Sequence, residues 1–139
     1  PYDGAVAPAA VVEVAEALLA LGCYQVSLGD TLGAATPSSI ARMLEAVLDR
    51  IPAHRLAGHY HDTSGRALDN ILTSLEFGLR GFDAAAGGLG GCPYAPGAKG
   101  NVATEAVDAL LHERGFATGL DARRLAEAAR YAQDLRSPA

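Results

Sequence analysis

Apolar residues recur along this chain with two periods, and the alternation between them outlines the architecture. Val11, Val14, Ala15, Leu18, Leu19 and Leu21 follow Pro8 at helical spacing and stop at Gly22, which predicts a helix over 8–21. The short apolar run Tyr24-Gln25-Val26-Ser27-Leu28 ends at Gly29-Asp30-Thr31, the pattern of a buried strand entering a loop. Thr36-Pro37 reads as a cap and a first helical residue. Behind it Ile40, Met43, Leu44, Val47 and Leu48 make one apolar face, opposite a solvated face of Arg42, Glu45 and Asp49. A second strand, Leu56 to His61, leads into Asp62-Thr63-Ser64-Gly65, and a helix then aligns Leu68, Ile71, Leu72, Leu75 and Leu79. A third short run, Gly81 to Ala86, is followed by two helices. Thr104 is expected to cap the first, which carries Val107, Leu110 and Leu111. Asp121 is expected to cap the second, which carries Ala128, Ala132 and Leu135 inward.

Strand and helix thus alternate at a pitch of about 25 to 31 residues, the rhythm of βα units in a parallel sheet. The residues able to do chemistry fall just after strand carboxyl ends. In βα barrels that end carries the active site, and in doubly wound sheets the ligand crevice lies outside the same end. Three strands do not by themselves distinguish the two.

Residues 87–101, GGLGGCPYAPGAKGN, break both periods. Six glycines and two prolines exclude a helix or a central strand there. Neither common nucleotide loop fits, because Pro93 stands where the dinucleotide fingerprint needs glycine and Gly100 stands where a phosphate loop needs Ser or Thr. A linker would not need Cys92, Tyr94 and Asn101. A catalytic or substrate-covering loop is the favoured reading.

At 139 residues the chain suits one domain. A net charge of −5, with Lys99 the sole lysine, argues against a nucleic-acid partner. No apolar run is long enough to span a membrane, and the arginine-rich composition is that of a bacterial, cytoplasmic protein. Cys23 and Cys92 have neither metal-type nor disulfide-framework spacing, and Cys23 is expected to be a buried packing residue.

Side chains alternate across a strand, so His59 and His61 share a face and their imidazoles converge. Such a pair suits a divalent cation, or is a pair of satisfied polar residues at a strand end. His54 and His112 lack such a partner and read as surface residues. Asn101 offers either an amide-oxygen ligand or a turn residue. Asp62 is either a support for a ligating imidazole or a helix cap, and Asp30 is either a base, ligand or anchor, or a loop cap.

The loop GGLGGCPYAPGAKGN, the strand end HYHDTSG and the run VSLGDTLG together resemble the 3-hydroxy-3-methylglutaryl-CoA (HMG-CoA) lyase family, and the likeness runs through essentially the whole chain. The resemblance implies a TIM (βα)8 barrel, of which residues 1–139 carry about the last three strands and the C-terminal helices as part of a single barrel domain. It implies an acyl-CoA substrate, cleaved to acetyl-CoA and acetoacetate with a divalent cation, Mg2+ or Mn2+. It also implies His59, His61 and Asn101 as metal ligands, Cys92 as the active-site cysteine, and Asp30 as an active-site aspartate; His59 and Asp30 are the candidates for hydroxyl-proton transfer. Lys99 is either a contact for a CoA phosphate or an exposed loop charge.

The family's first-strand Arg-Asp pair does not occur in this sequence. A homo-oligomer, or association with an N-terminal half, is therefore expected. Two alternatives remain: another HxH barrel enzyme, either a Claisen-type synthase or a carboxyltransferase, and an inactive half barrel. The sequence Asp62-Thr63-Ser64-Gly65 also resembles the carboxyltransferase domain of pyruvate carboxylase, whereas the Cys92 loop favours the lyase.

Overall fold

The computed structural model describes residues 4–91 and 99–135. Three strands, β1 (Val26–Asp30), β2 (Leu56–Tyr60) and β3 (Gly81–Asp83), form a parallel sheet in the order β1-β2-β3. Helix α1 (Pro8–Ala20) precedes β1, α2 (Pro37–Leu48) joins β1 to β2, and α3 (Ala67–Glu76) joins β2 to β3. Helices α4 (Thr104–Glu113) and α5 (Ala122–Asp134) follow. Successive helices pack side by side, α1 on α2, α2 on α3, α3 on α4 and α4 on α5. This is the arrangement expected of consecutive βα units.

The core lies between this helix layer and one face of the sheet. Val26, Leu28, Leu56 and Tyr60 meet Ile40, Leu44 and Val47 of α2 and Ile71 of α3, all buried. Helix α2 starts as its sequence predicts, since the Thr36 hydroxyl accepts from the Ser39 N–H while the Ser39 hydroxyl closes the reciprocal bond to the Thr36 N–H. On α3 the buried stripe includes the small polar residues Asn70 and Ser74: the Asn70 amide donates to the Ala35 carbonyl at 3.3 Å, and the Tyr60 phenol reaches across the interface to share a 2.7 Å hydrogen bond with the Ser74 hydroxyl. Gly58 makes room for that ring: a Cβ there would meet it at 2.7 Å.

Several expectations need correction. Cys23 is exposed, not buried. It lies in the turn between α1 and β1, where Arg55 holds the chain by its backbone, donating to the Cys23 carbonyl at 2.8 Å and the Tyr24 carbonyl at 2.6 Å. The strand begins at Val26, and Tyr24 is solvated. Thr104 is the first helical residue and makes no capping bond; Ala103 occupies the cap position. Asp121 caps α5 as expected, accepting from the Arg124 N–H at 3.0 Å. The inward face of α5, however, is Ala129 and Ala132, with Ala128 and Leu135 in solvent. Close packing sets that phase: α5 lies on the turn Ala86–Gly88, and a Cβ at Gly87 would come within 2.6 Å of the Ala129 carbonyl.

Helix α1 is covered on one side only. Ala15 is buried, whereas Val14 and Leu21 are exposed, and an apolar groove of about 490 Å3 runs between α1 and β1. No helix among the described residues is long and apolar enough to cross a membrane.

The loop after β1 folds onto the end of β2 at Gly33, whose φ is +65° and whose missing Cβ would sit 2.7 Å from the His61 carbonyl. Substituting Gly33→Ala is expected to destabilise the fold by about 1–3 kcal/mol, because the left-handed backbone and the close approach both penalise a side chain. Urea unfolding measures the loss, and an unchanged midpoint would contradict this packing.

Candidate metal and acyl-CoA site

The sheet face turned away from the helices carries the polar residues. Ser27 of β1, His59 of β2 and Asp83 of β3 project from it, and the register pairs Gly29 with His59 and His59 with Asp83. Val26, Leu28 and Tyr60 alternate to the opposite, buried face. In a βα barrel the open face is the lumen, and the carboxyl ends of the strands form its mouth.

His61 lies one residue past β2. It shares the face of His59, with ring centroids 5.4 Å apart and planes tilted by 44°. The two imidazoles predicted to converge are neighbours. Asn101 joins them from 40 residues on: His61 and Asn101 form an isolated antiparallel bridge, flanked by bonds from the Asp62 N–H to the Gly100 carbonyl (2.7 Å) and from the Val102 N–H to the Tyr60 carbonyl (3.3 Å). The Asn101 amide nitrogen donates to the Leu89 carbonyl at 3.1 Å, which fixes the amide so that its oxygen serves the His61 side. Glycines permit this close passage. A Cβ at Gly90 would meet the Asn101 amide at 2.8 Å, and one at Gly100 would collide with the Gly90 carbonyl.

The chemistry of these three donors fits a divalent cation. His61 is buried, and its Nδ1 has no hydrogen-bond partner among the described residues, an orphan that is costly unless something binds there. Burial, reinforced by the neighbouring His59, pushes the His61 pKa down against the opposing pull of Asp30 and of the Asn101 bond. The imidazole is thereby kept in the neutral form that donates a lone pair. Among the described residues no group of three or more His, Cys, Asp or Glu could hold a metal. A cation held by the pair would need the neutral Asn101 amide and donors from beyond the described residues.

Asp30 ends β1, and its carboxylate accepts from the Ala34 and Ala35 N–H groups at 3.0 Å each, so it anchors its own loop while acting electrostatically on His61. Asp62 accepts from the Ala67 N–H at 3.2 Å, at the start of α3, and its other oxygen faces the exposed Lys99 at 3.8 Å. The carboxylate that touches a site imidazole is instead Asp83, which sequence reasoning passed over. Cys92 lies outside the described residues; it follows Gly91 directly, and a Cβ at Gly100 would lie 3.1 Å from the Gly91 Cα.

The family model described as HMGL-like matches residues 1–131. The chain belongs to the HMGL-like family. Hydroxymethylglutaryl-CoA lyase of Pseudomonas mevalonii is 51% identical over 127 residues, covering 91% of this chain and 42% of that protein. The crystal structure of the HMG-CoA lyase from Brucella melitensis superposes with a TM-score of 0.95 at 65% identity, covering 98% of this chain and 48% of that one. An HMG-CoA lyase from Acinetobacter baumannii, solved in complex with coenzyme A and 3-methylmalate, matches at 40% identity and TM-score 0.86, covering 97% of this chain and 44% of that one. The carboxyl transferase domain of Rhizobium etli pyruvate carboxylase, at 22% identity and TM-score 0.70, shares the fold. This chain therefore spans less than half the length of these HMGL-like relatives, and its sheet is part of the TIM barrel of that superfamily.

Proposed function

We propose that this chain supplies the metal-binding, cysteine-bearing part of an HMG-CoA lyase that cleaves 3-hydroxy-3-methylglutaryl-CoA to acetyl-CoA and acetoacetate. The observation that carries the proposal is the convergence of His59, His61 and Asn101 on the lumen face of a chain of this family. In this reading the three residues hold Mg2+ or Mn2+, and the cation supplies Lewis acidity toward the substrate oxygens. The tertiary hydroxyl proton leaves to a base and the C2–C3 bond breaks. Its electron pair becomes the thioester enolate of acetyl-CoA, and the carbinol carbon becomes the ketone of acetoacetate. Of the two candidates for the hydroxyl proton, Asp30 keeps a further lone pair on each oxygen beside the backbone N–H bond it accepts, whereas His59 could take the proton only while its imidazole lone pair is not given to the cation. Cys92 returns a proton to the enolate carbon. The proposed location is the cytoplasm, in keeping with the arginine-rich composition.

The test is a chimera in which this chain replaces the matching segment of the Pseudomonas mevalonii lyase. Acetoacetate release from HMG-CoA with Mn2+ or Mg2+ is the expected result. A folded chimera that binds the cation but leaves HMG-CoA intact would sink the proposal.

A further inference from the structure

Asp83 joins two neighbours on the lumen face. Its Oδ2 accepts a 2.6 Å hydrogen bond from the Ser27 hydroxyl of β1 and lies 3.2 Å from Nδ1 of His59 on β2. The three residues come from three different strands, and the parallel register places His59 directly beside Asp83. The two carboxylates nearer the HxH strand end in sequence or charge, Asp62 and Asp30, bond to backbone amides instead.

An acceptor at Nδ1 requires the proton there, and in a neutral imidazole that leaves the lone pair on Nε2. The Ser27 hydroxyl donates to the same oxygen and so fixes the carboxylate against rotation. Both partners are open to solvent, the His59 and Asp83 side chains being 37% and 52% exposed, so the pair adds little to folding stability. Its effect lies in orientation. We propose that Asp83, anchored by Ser27, is the positioning residue that holds His59 in its Nδ1–H tautomer and presents Nε2 to the cation. The inference rests on the metal-site reading above and extends it from the ligands to the residues that aim them.

The test uses the chimeric lyase described above with 15N-labelled histidine, as wild type and as Asp83→Ala, Asp83→Asn and Ser27→Ala. Long-range proton–nitrogen correlation at pH 8 reads which ring nitrogen of His59 carries the proton, and electron paramagnetic resonance reads Mn2+ affinity. Wild-type His59 is expected as Nδ1–H. In Asp83→Ala it should move toward Nε2–H, with Mn2+ affinity falling about 10- to 100-fold. Asp83→Asn keeps an acceptor oxygen and should recover the tautomer and part of the affinity, while Ser27→Ala should fall between. A loss that is merely structural would move the unfolding midpoint without moving the tautomer. Wild-type His59 protonated at Nε2, or Asp83→Ala with an unchanged tautomer and an affinity within about 2-fold, would overturn the inference. A wild-type chimera that binds no Mn2+, yet loses the Nδ1–H form on Asp83→Ala, overturns the metal-site reading and supports the positioning role.

Discussion

His61→Ala is expected to weaken Mn2+ binding by more than about 100-fold, beyond what loss of an outer-shell partner produces. Three observations converge on that residue. Its Nδ1 is buried with no partner among the described residues, its pKa is pushed down so that the ring is neutral and able to donate at pH 7, and Asn101 is held against it by a backbone bridge that does not depend on its side chain. That independence makes the experiment clean, because the bonds between the Asp62 and Val102 amides and the Gly100 and Tyr60 carbonyls survive the substitution. Circular dichroism should remain that of the wild type while the Mn2+ resonance titration loses its bound fraction. His54→Ala is the matched control: that residue is exposed just before the amino end of β2, at the opposite end of the strand from the site, and the variant should bind Mn2+ as the wild type does. Equal affinity in the His61 and His54 variants would remove His61 from the ligand set.

Much of the fold was legible where one periodicity answered to one burial surface. Ile40, Leu44 and Val47 are buried along α2 as their spacing requires, and the strand–helix alternation predicted the parallel pairing of the three strands. The pattern misled where burial depends on a neighbour that sequence does not specify. Val11, Val14, Ala15 and Leu18 lie at helical spacing on α1, yet of these only Ala15 is fully buried, while Val14 and Leu18 are exposed along the open groove. In α5 nearly every candidate inward position is alanine, so hydrophobicity could not fix the phase. The tight approach of Gly87 to Ala129 did.

The site divides along the same line. His59 and His61 are two apart on one strand, and strand geometry alone places them on one face. Asn101 beside them and Asp83 behind His59 depend on register between segments distant in the chain, and no local pattern encodes that register. Asp62 attracted attention by its nearness in sequence, but the chain turns there to start α3, and its carboxylate stays with the Ala67 amide. A usable signal for Asp83 did exist. It is the sole acidic residue in the third strand, at the position level with the HxH pair, where a carboxylate facing a barrel lumen costs desolvation unless it has a partner.

Cys92→Ala is expected to cut turnover of the chimeric lyase by about 10^2- to 10^4-fold, the range associated with loss of a positioned acid, while leaving Mn2+ affinity unchanged. The enolate carbon must acquire a proton before the thioester departs, and a thiol with an ordinary pKa near 8.5 can donate one at neutral pH where a hydroxyl cannot. What the described residues contribute is the anchoring of both ends of the loop. Leu89 is tied to Asn101 through its carbonyl, Gly100 to Asp62 through its own, and Gly100 packs against Gly90 and Gly91. Cys92 therefore enters the chain one residue from a segment fixed beside the proposed ligands. Metal affinity and turnover separate two roles. A thiol that donates a proton affects turnover alone, whereas a thiol that ligates the cation would lower Mn2+ affinity together with turnover. Cys92→Ser, which keeps the size but has a far weaker acid, should resemble alanine in turnover. Serine at wild-type rate would exclude proton donation by the thiol and leave the cysteine a packing role in the loop.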